Sequence, residues 1–167
     1  MNIKVEICRE DVKLPFYANE GDAGMDIRSA IDIFIRPQET IIVPTGIKMA
    51  IPKGYELQIR PRSGLSFNTP LRLSNCVGTI DSGYRDEIGI IVTNTSIYIP
   101  NVDELELQEV YSIASKCNKH GTYHIRKGDR IAQIILNQIP TIEFEVVEDV
   151  KNFGHDRNGG FGSSGVK

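Results

Sequence analysis

The 167-residue chain has no tryptophan, three histidines and three cysteines. Cys8, Cys76 and Cys117 are odd in number and show no C-x-x-C spacing, which argues against a disulfide framework and against a zinc site. A reduced, cytoplasmic setting is therefore expected. His120 and His124 stand four apart, but the glycine within KHGTYH reads as a turn into a strand, not as one face of a metal-binding helix. No apolar run approaches the roughly 18 residues that a membrane span needs, and the opening MNIKVEICRE alternates instead of forming the apolar centre of a signal peptide. Excess basic charge is missing too. The net charge is −3 and no basic stripe runs along the chain, so a nucleic-acid polymer is not an expected partner. A small anion held by a few gathered arginines stays open. Nucleophile signatures such as G-x-S-x-G and H-E-x-x-H are absent as well.

What the chain does have is alternation. Ile3, Val5 and Ile7 repeat with period two, as do Ile31, Ile33 and Ile35, then Tyr55, Leu57 and Ile59, then Ile142, Phe144 and Val146. Short apolar runs bounded by Pro, Gly, Asn and Asp predict many short strands, hence an all-β sandwich or barrel of the jelly-roll kind. One segment departs from this. Between Asn101 and Cys117 the apolar residues Val102, Leu105, Val110, Ile113, Ala114 and Cys117 recur at helical spacing, with Asn101 as a cap and Glu104 at the third helical position. Leu105 and Leu107 also permit a strand. Residues 95–122 thus read as a small insertion on a β-fold, helical in part, whose apolar face covers the subunit's own surface or meets a partner protein.

Four stretches carry residues suited to chemistry. In DAGMDIRSA, Asp26 alternates with Met25 and Ile27; alone it reads first as a solvated strand carboxylate. In RPRSGLSF, Arg62 is a bidentate donor, Ser63 offers a hydroxyl and Gly64 permits close backbone approach, though the stretch also suits a plain turn. SNCVGTIDSGYRDE looks like a hairpin with Gly78 and Gly83, a single carboxylate at Asp81 and an aromatic at Tyr84. It could read a planar ring through backbone groups, or be an ordinary Asp-Ser-Gly turn. In KGDRIAQIIL, extended geometry places Gln133 on an otherwise apolar face, where it needs a partner, and Asp129 and Arg130 suggest an ion pair at the strand's start. The inventory of carboxylates, arginines, hydroxyls and glycines suits metal-assisted attack of water on a phosphate. A fifth stretch, RNGGFGSSG, satisfies G-x-G-x-x-G but has no helix after it, so the dinucleotide reading fails there. A frayed terminus would explain the glycines, but not Phe161 or Arg157.

Taken in order, AGMDIRSA, PRSGLSF, GTIDSGYRDEIG, GDRIAQII and RNGGFGSSG resemble the five motifs of the homotrimeric dUTPases, and they span residues 23–165. The resemblance implies a jelly-roll-like β-barrel over residues 1–153 and a C-terminal lid over 154–167. It implies a trimer with active sites at subunit junctions, and Mg²⁺-dependent hydrolysis of dUTP to dUMP and pyrophosphate, which keeps uracil out of DNA. Asp81 would activate the attacking water, and Tyr84 would pack beneath the deoxyribose so that a ribose 2′-OH clashes. Asn75, Gly78, Thr79 and Ile80 would read uracil. Arg62, Ser63 and Gly64 would hold the α- and β-phosphates with help from Gln133, and Asp26 would act on Mg²⁺ through its water shell. In the lid, Phe161 would stack on uracil, Arg157 would pair with the γ-phosphate, and Gly162, Ser163 and Ser164 would bond it too.

Two features depart from the family pattern. Arg157 and Phe161 are four residues apart, against the family's usual five. The link from Thr95 to Thr122 is longer than the usual short turn and resembles that of some bacteriophage members. The related dCTP deaminases share the fold, but GTIDSGY follows the hydrolase pattern. A regulatory protein that binds a partner through residues 95–122 is the alternative from another class.

Overall fold

The structure, a computed structural model, describes residues 1–97, 109–156 and 158–159. Among these, twelve strands lie in four sheets, with one short α-helix and two 3-10 turns. The architecture is all-β and jelly-roll-like, and among the described residues no sheet closes on itself into a barrel.

The sheet that matters for function has the order β2 (Met25–Arg28), β12 (Arg130–Gln138), β6 (Tyr55–Pro61) and β8 (Gly78–Ile80), all neighbours antiparallel. Its inner face carries Ile27, Leu57, Ile59 and Ile134, all buried. Each such side chain contributes about 1.5–3 kcal/mol on burial. A one-residue slip would turn that whole set toward solvent, so the register is tightly specified. A second sheet joins β4 (Thr40–Pro44), β9 (Gly89–Asn94) and β7 (Leu71–Leu73), and adds Val43, Leu71, Ile90 and Val92 to the same core. Near the N-terminus, β1 (Lys4–Ile7) runs antiparallel to β5 (Ile47–Ala50).

The alternation breaks in β12 at a bulge. Ile131 and Ala132 are adjacent, yet both are fully buried, because the register with β2 shifts between Arg130 and Ala132. The extra residue of this bulge redirects the side chains before it. Arg130 consequently reaches Asp26 on β2, not Asp129 as its neighbour in sequence suggested. Asp129 instead accepts a hydrogen bond from the Arg126 amide at 2.9 Å.

The inserted segment needs a larger correction. Residues 98–108, with the first half of the expected helix, lie outside the described residues. The second half is not α-helical. Val110–Ser112 forms β10, parallel to β11 (Thr122–Ile125), and Ile113–Ser115 is a single 3-10 turn capped by the Ser112 hydroxyl. The helical spacing of Val110, Ile113, Ala114 and Cys117 does not mark one buried face: Val110 and Ala114 are exposed, and Ile113 and Cys117 are half-buried. Tyr111 and Ile113 pack against the core, and β11 extends the same sheet to β3 (Ile33–Ile35). Buried Asn94 ties the segment's two ends together by donating to the Ile35 and Gly121 carbonyls, at 2.9 and 2.8 Å. Farther along, the Asn118 amide donates to the Asn68 carbonyl at 2.8 Å, bracing the end of the α-helix described next.

Candidate active site

Four of the five sequence motifs meet in the β2-β12-β6-β8 sheet. Gln133 on β12 stands opposite Asp26 on β2 and opposite Arg60 on β6, so three motifs share one row across the sheet. One row along, Gly78 on β8 pairs with Ile59. Sheet register, not loop geometry, thus fixes the spacing between motifs that are about a hundred residues apart in sequence, as with Asp26 and Arg130 (|i−j| of 104).

Just past β6, Arg62 keeps an extended backbone and caps helix α1 (Ser63–Asn68). Its guanidinium turns back to Asp26: Nε donates to Oδ1 at 2.6 Å and Nη2 to Oδ2 at 3.5 Å. Arg130 Nη1 donates to the same Oδ2 at 3.0 Å, and Arg62 Nη1 to the Arg130 carbonyl at 3.3 Å. Two cations against one carboxylate leave the cluster with net positive charge, and all three side chains are partly exposed, 25–49%. Such a cluster suits an oligo-anion. Gln133 does have a partner, as its half-buried position required: Nε2 donates to the Pro61 carbonyl at 2.9 Å.

The glycines separate into two kinds. A Cβ on Gly24 would lie 3.0 Å from Ile135 Cγ1 and 3.2 Å from Gln133 Oε1, so this glycine makes room for β12. Gly78 likewise lies against Ile59 and Asn75, at 3.2 and 3.3 Å. Gly64 is different. It is exposed beside Ser63, and a Cβ there would meet nothing within 4 Å, so nothing in its own subunit demands glycine.

The stretch around Asp81 corrects the expected hairpin. β7 and β8 belong to different sheets, and the turn between them, which holds Asn75, crosses from one sheet to the other. Thr79 is exposed and Ile80 half-buried on β8. Beyond β8, Asp81 is exposed, and its carbonyl accepts from the Tyr84 amide at 3.1 Å, closing a turn that presents the Tyr84 ring. This ring is 38% exposed, with its hydroxyl donating to the Glu87 carbonyl at 2.9 Å.

One subunit does not bring the two halves together. Ile80 pairs with Leu57, whereas Arg62 lies five residues farther along the same extended chain, roughly 16 Å at the usual rise per residue. The expected lid residues Arg157, Phe161, Gly162, Ser163 and Ser164 lie outside the described residues. Sequence reasoning missed two residues of this region. Arg130 shares the Asp26 carboxylate, and Glu87 holds the Tyr84 loop; an arginine beside a motif aspartate was a usable signal for the first, while nothing local marked the second.

Among the described residues, no cluster of three or more His, Cys, Asp or Glu stands ready for a metal, and no helix is long and apolar enough to cross a membrane. A family model for dUTPase matches residues 10–104 and 108–165. A deoxyuridine 5′-triphosphate nucleotidohydrolase of Finegoldia magna is 44% identical over 168 residues, covering 99% of this chain and 99% of its own length. That leaves no room for residues 95–122 to be an addition relative to this bacterial relative. Among solved structures, a dUTPase of Staphylococcus bacteriophage 80alpha with dUpNHpp is 31% identical, with a TM-score of 0.84 over 99% of each chain. The dUTPase of phage phi11 of S. aureus, described with a structural Mg(II) ion, is also 31% identical, with a TM-score of 0.78 over 90% of this chain and 99% of that one. With its motifs gathered in one sheet and these likenesses spanning nearly its whole length, the chain belongs to the dUTPase family.

Proposed function

We propose that this protein hydrolyses dUTP to dUMP and pyrophosphate, and so keeps uracil out of DNA, at sites shared between the subunits of a homotrimer. The observation that carries this is the division of the motifs. A cationic cluster at one end of β6 suits a triphosphate, and a carboxylate with an aromatic ring at the other end suits a nucleoside, and this separation along the strand favours a site in which each end meets the other half from a neighbouring subunit. A second feature supports assembly. Ile142, Phe144 and Val146, read from their alternation as a strand, form none in the subunit and are 69%, 92% and 96% exposed, an apolar arm that needs a surface beyond its own subunit.

Each residue then has a task. Arg62, Ser63, Gly64 and Gln133 bind the α- and β-phosphates, and the open space at Gly64 is where a phosphate comes close to the backbone. Asn75, Gly78, Thr79 and Ile80 read uracil; cytosine there would leave buried polar groups unpaired, an expensive mismatch. Tyr84 excludes a ribose, and Asp81 takes the proton from the attacking water as it adds to phosphorus. Residues 1–153 form the barrel-like domain and 154–167 the lid, in which Arg157, Phe161, Gly162, Ser163 and Ser164 contact nucleotide.

The residues present fit Mg²⁺ in one manner only. Asp26 is a single carboxylate beside an anion site, which suits an ion carried by the triphosphate and its waters, not one caged by protein. When bound, the ion neutralises phosphate charge and orients the chain of phosphates. Asp26 then serves its water shell after Arg62 turns to the phosphates.

Incubation with dUTP and Mg²⁺, with products resolved by chromatography, tests the reaction. dUMP and pyrophosphate support it. Ammonia released from dCTP would favour the deaminase reading instead. The packing of Tyr111 and Ile113 against the core, with the Asn118 amide on the Asn68 carbonyl, supports self-packing of this segment over a partner surface.

A further inference from the structure

The turn that carries Asp81 and Tyr84 runs from Ile80 on β8 to buried Ile88, whose amide donates to the Ile47 carbonyl and whose carbonyl accepts from Thr45, and between these ends it has one further tie. Among the described residues, the hydrogen bonds that leave residues 81–87 all run through the Glu87 carboxylate. The others are internal: Tyr84 amide to Asp81, Tyr84 hydroxyl to Glu87, and Arg85 Nη1 to the Ser82 and Tyr84 carbonyls.

That one carboxylate is held on both oxygens. Arg9 Nε donates to Oε1 at 2.7 Å and Nη2 to Oε2 at 2.8 Å, the planar two-point geometry of an arginine fork. The Gly46 amide donates to Oε1 at 2.6 Å. Gly46 is itself immobilised. It has φ of +72°, a Cβ there would lie 2.4 Å from Val12 Cγ2, and its carbonyl accepts from the Cys8 amide at 2.9 Å. The hydrogen bond from Arg9 holds Glu87 below the usual carboxylate range, and Glu87 in turn raises Arg9. The N-terminal segment, the Thr45–Gly46 turn and the Tyr84 loop therefore converge on one ion pair.

We propose that Glu87, clamped by Arg9 and the Gly46 amide, is a positioning residue that sets sugar specificity by fixing the height of the Tyr84 ring. The proposal rests on the reading of Tyr84 as the group that excludes a ribose 2′-OH. A steric test of one hydroxyl works only if the ring cannot recede. Tyr84 is anchored through its phenol to the Glu87 carbonyl, which is held on one side by the Ile88 amide bonded to Ile47 and on the other by the clamped Glu87 side chain, so loosening the clamp loosens one of the two supports of the ring's anchor.

The test compares kcat/KM for dUTP, UTP and dCTP in the full-length protein. Arg9→Ala and Glu87→Gln should each raise the UTP-to-dUTP ratio, by about tenfold for Arg9→Ala, the scale of coupling between residues in one network. Arg9→Lys, which keeps the charge but not the fork, should raise it less. Tyr84→Phe should also raise it, because only the phenol's anchor is lost. The dCTP-to-dUTP ratio should stay constant throughout. A general loosening of the site would move both ratios together, and that result overturns the proposal. So does a Tyr84→Ala variant with relaxed sugar choice beside Arg9→Ala and Glu87→Gln variants with none. If Tyr84→Ala itself leaves the UTP ratio unchanged, the reading of Tyr84 fails and the proposal with it. Should Arg9→Ala fold poorly, Tyr84→Phe decides alone, since it leaves the ion pair intact; an unchanged ratio there sinks the idea.

Discussion

The two ends of β6 are built by different means. At the Arg62 end, the groups sit on or next to three paired strands, and Asp26 accepts from both Arg62 and Arg130, with one positive charge left over. At the Ile80 end, Asp81 and Tyr84 ride on a loop that, between β8 and the anchored Ile88, is tied outward among the described residues through the Glu87 carboxylate. Charge recognition is tolerant of small displacements, because attraction falls off slowly with distance. Proton abstraction and the exclusion of one hydroxyl are not tolerant. It is therefore the loop end, not the sheet end, that depends on an added clamp, and variants at the two ends should fail in different ways.

The largest expected effect lies at the loop end. Asp81→Asn should lower kcat by roughly 10²–10⁴-fold, the usual contribution of a positioned general base. Binding of a non-hydrolysable dUTP analogue and the melting temperature should barely change, since Asp81 is exposed and outside the core. Retained turnover in the purified variant would remove it from this role.

Next comes the lid. Truncation after Phe153 should lower kcat by about an order of magnitude or more while sparing the trimer, because contacts made chiefly in the transition state are lost. The described residues that the truncation removes, 154–156 and 158–159, are exposed, so the melting temperature should hold. A sharp drop in melting temperature with full activity would make the tail structural.

At the sheet end the expected loss is smaller and of another kind. Arg62→Lys keeps a charge but cannot make the two-point contact, so the KM for dUTP should rise about tenfold with kcat less affected. An equal fall in kcat would blur the contrast between the ends.

Much of this was legible in the sequence, and the failures have physical causes. Alternation such as Tyr55, Leu57, Ile59 located strands because burial on one face enforces period two. It misled at β12, where a bulge buries Ile131 and Ala132 together and hands Arg130 to Asp26. Helical spacing misled at Val110 to Cys117, where a strand followed by a 3-10 turn leaves Val110 and Ala114 exposed and turns Tyr111 and Ile113 to the core. Gln133 has the partner expected of it, the Pro61 carbonyl, but lies in a polar row between Asp26 and Arg60 and not on an apolar face. Glu87 was missed because its meaning depends on Arg9, 78 residues away, and on no local pattern.

The smallest effect is a matter of pH. Glu87 titrates below the usual carboxylate range in the folded protein, chiefly through Arg9, so the unfolded chain binds more protons as acid is added. The stability contributed is whole above the ordinary carboxylate range and is lost as pH falls through the depressed folded value. Glu87→Gln should therefore melt below the wild type at neutral pH, and the gap should narrow on acidification. A gap that widened in acid would mean that the ion pair does not stabilise the loop.

The central claim, that one end of β6 binds phosphates while the loop end selects the nucleoside, is tested most directly by kcat/KM of the unmodified protein for dUTP, UTP, dCTP and dTTP side by side. All four carry the same triphosphate, so the sheet end cannot tell them apart. The account predicts strong preference for dUTP, with UTP, dCTP and dTTP each poorer by orders of magnitude. Comparable turnover of all four would contradict it, because a site that reads phosphate alone has no use for Tyr84 or for the turn from Asn75 to Ile80.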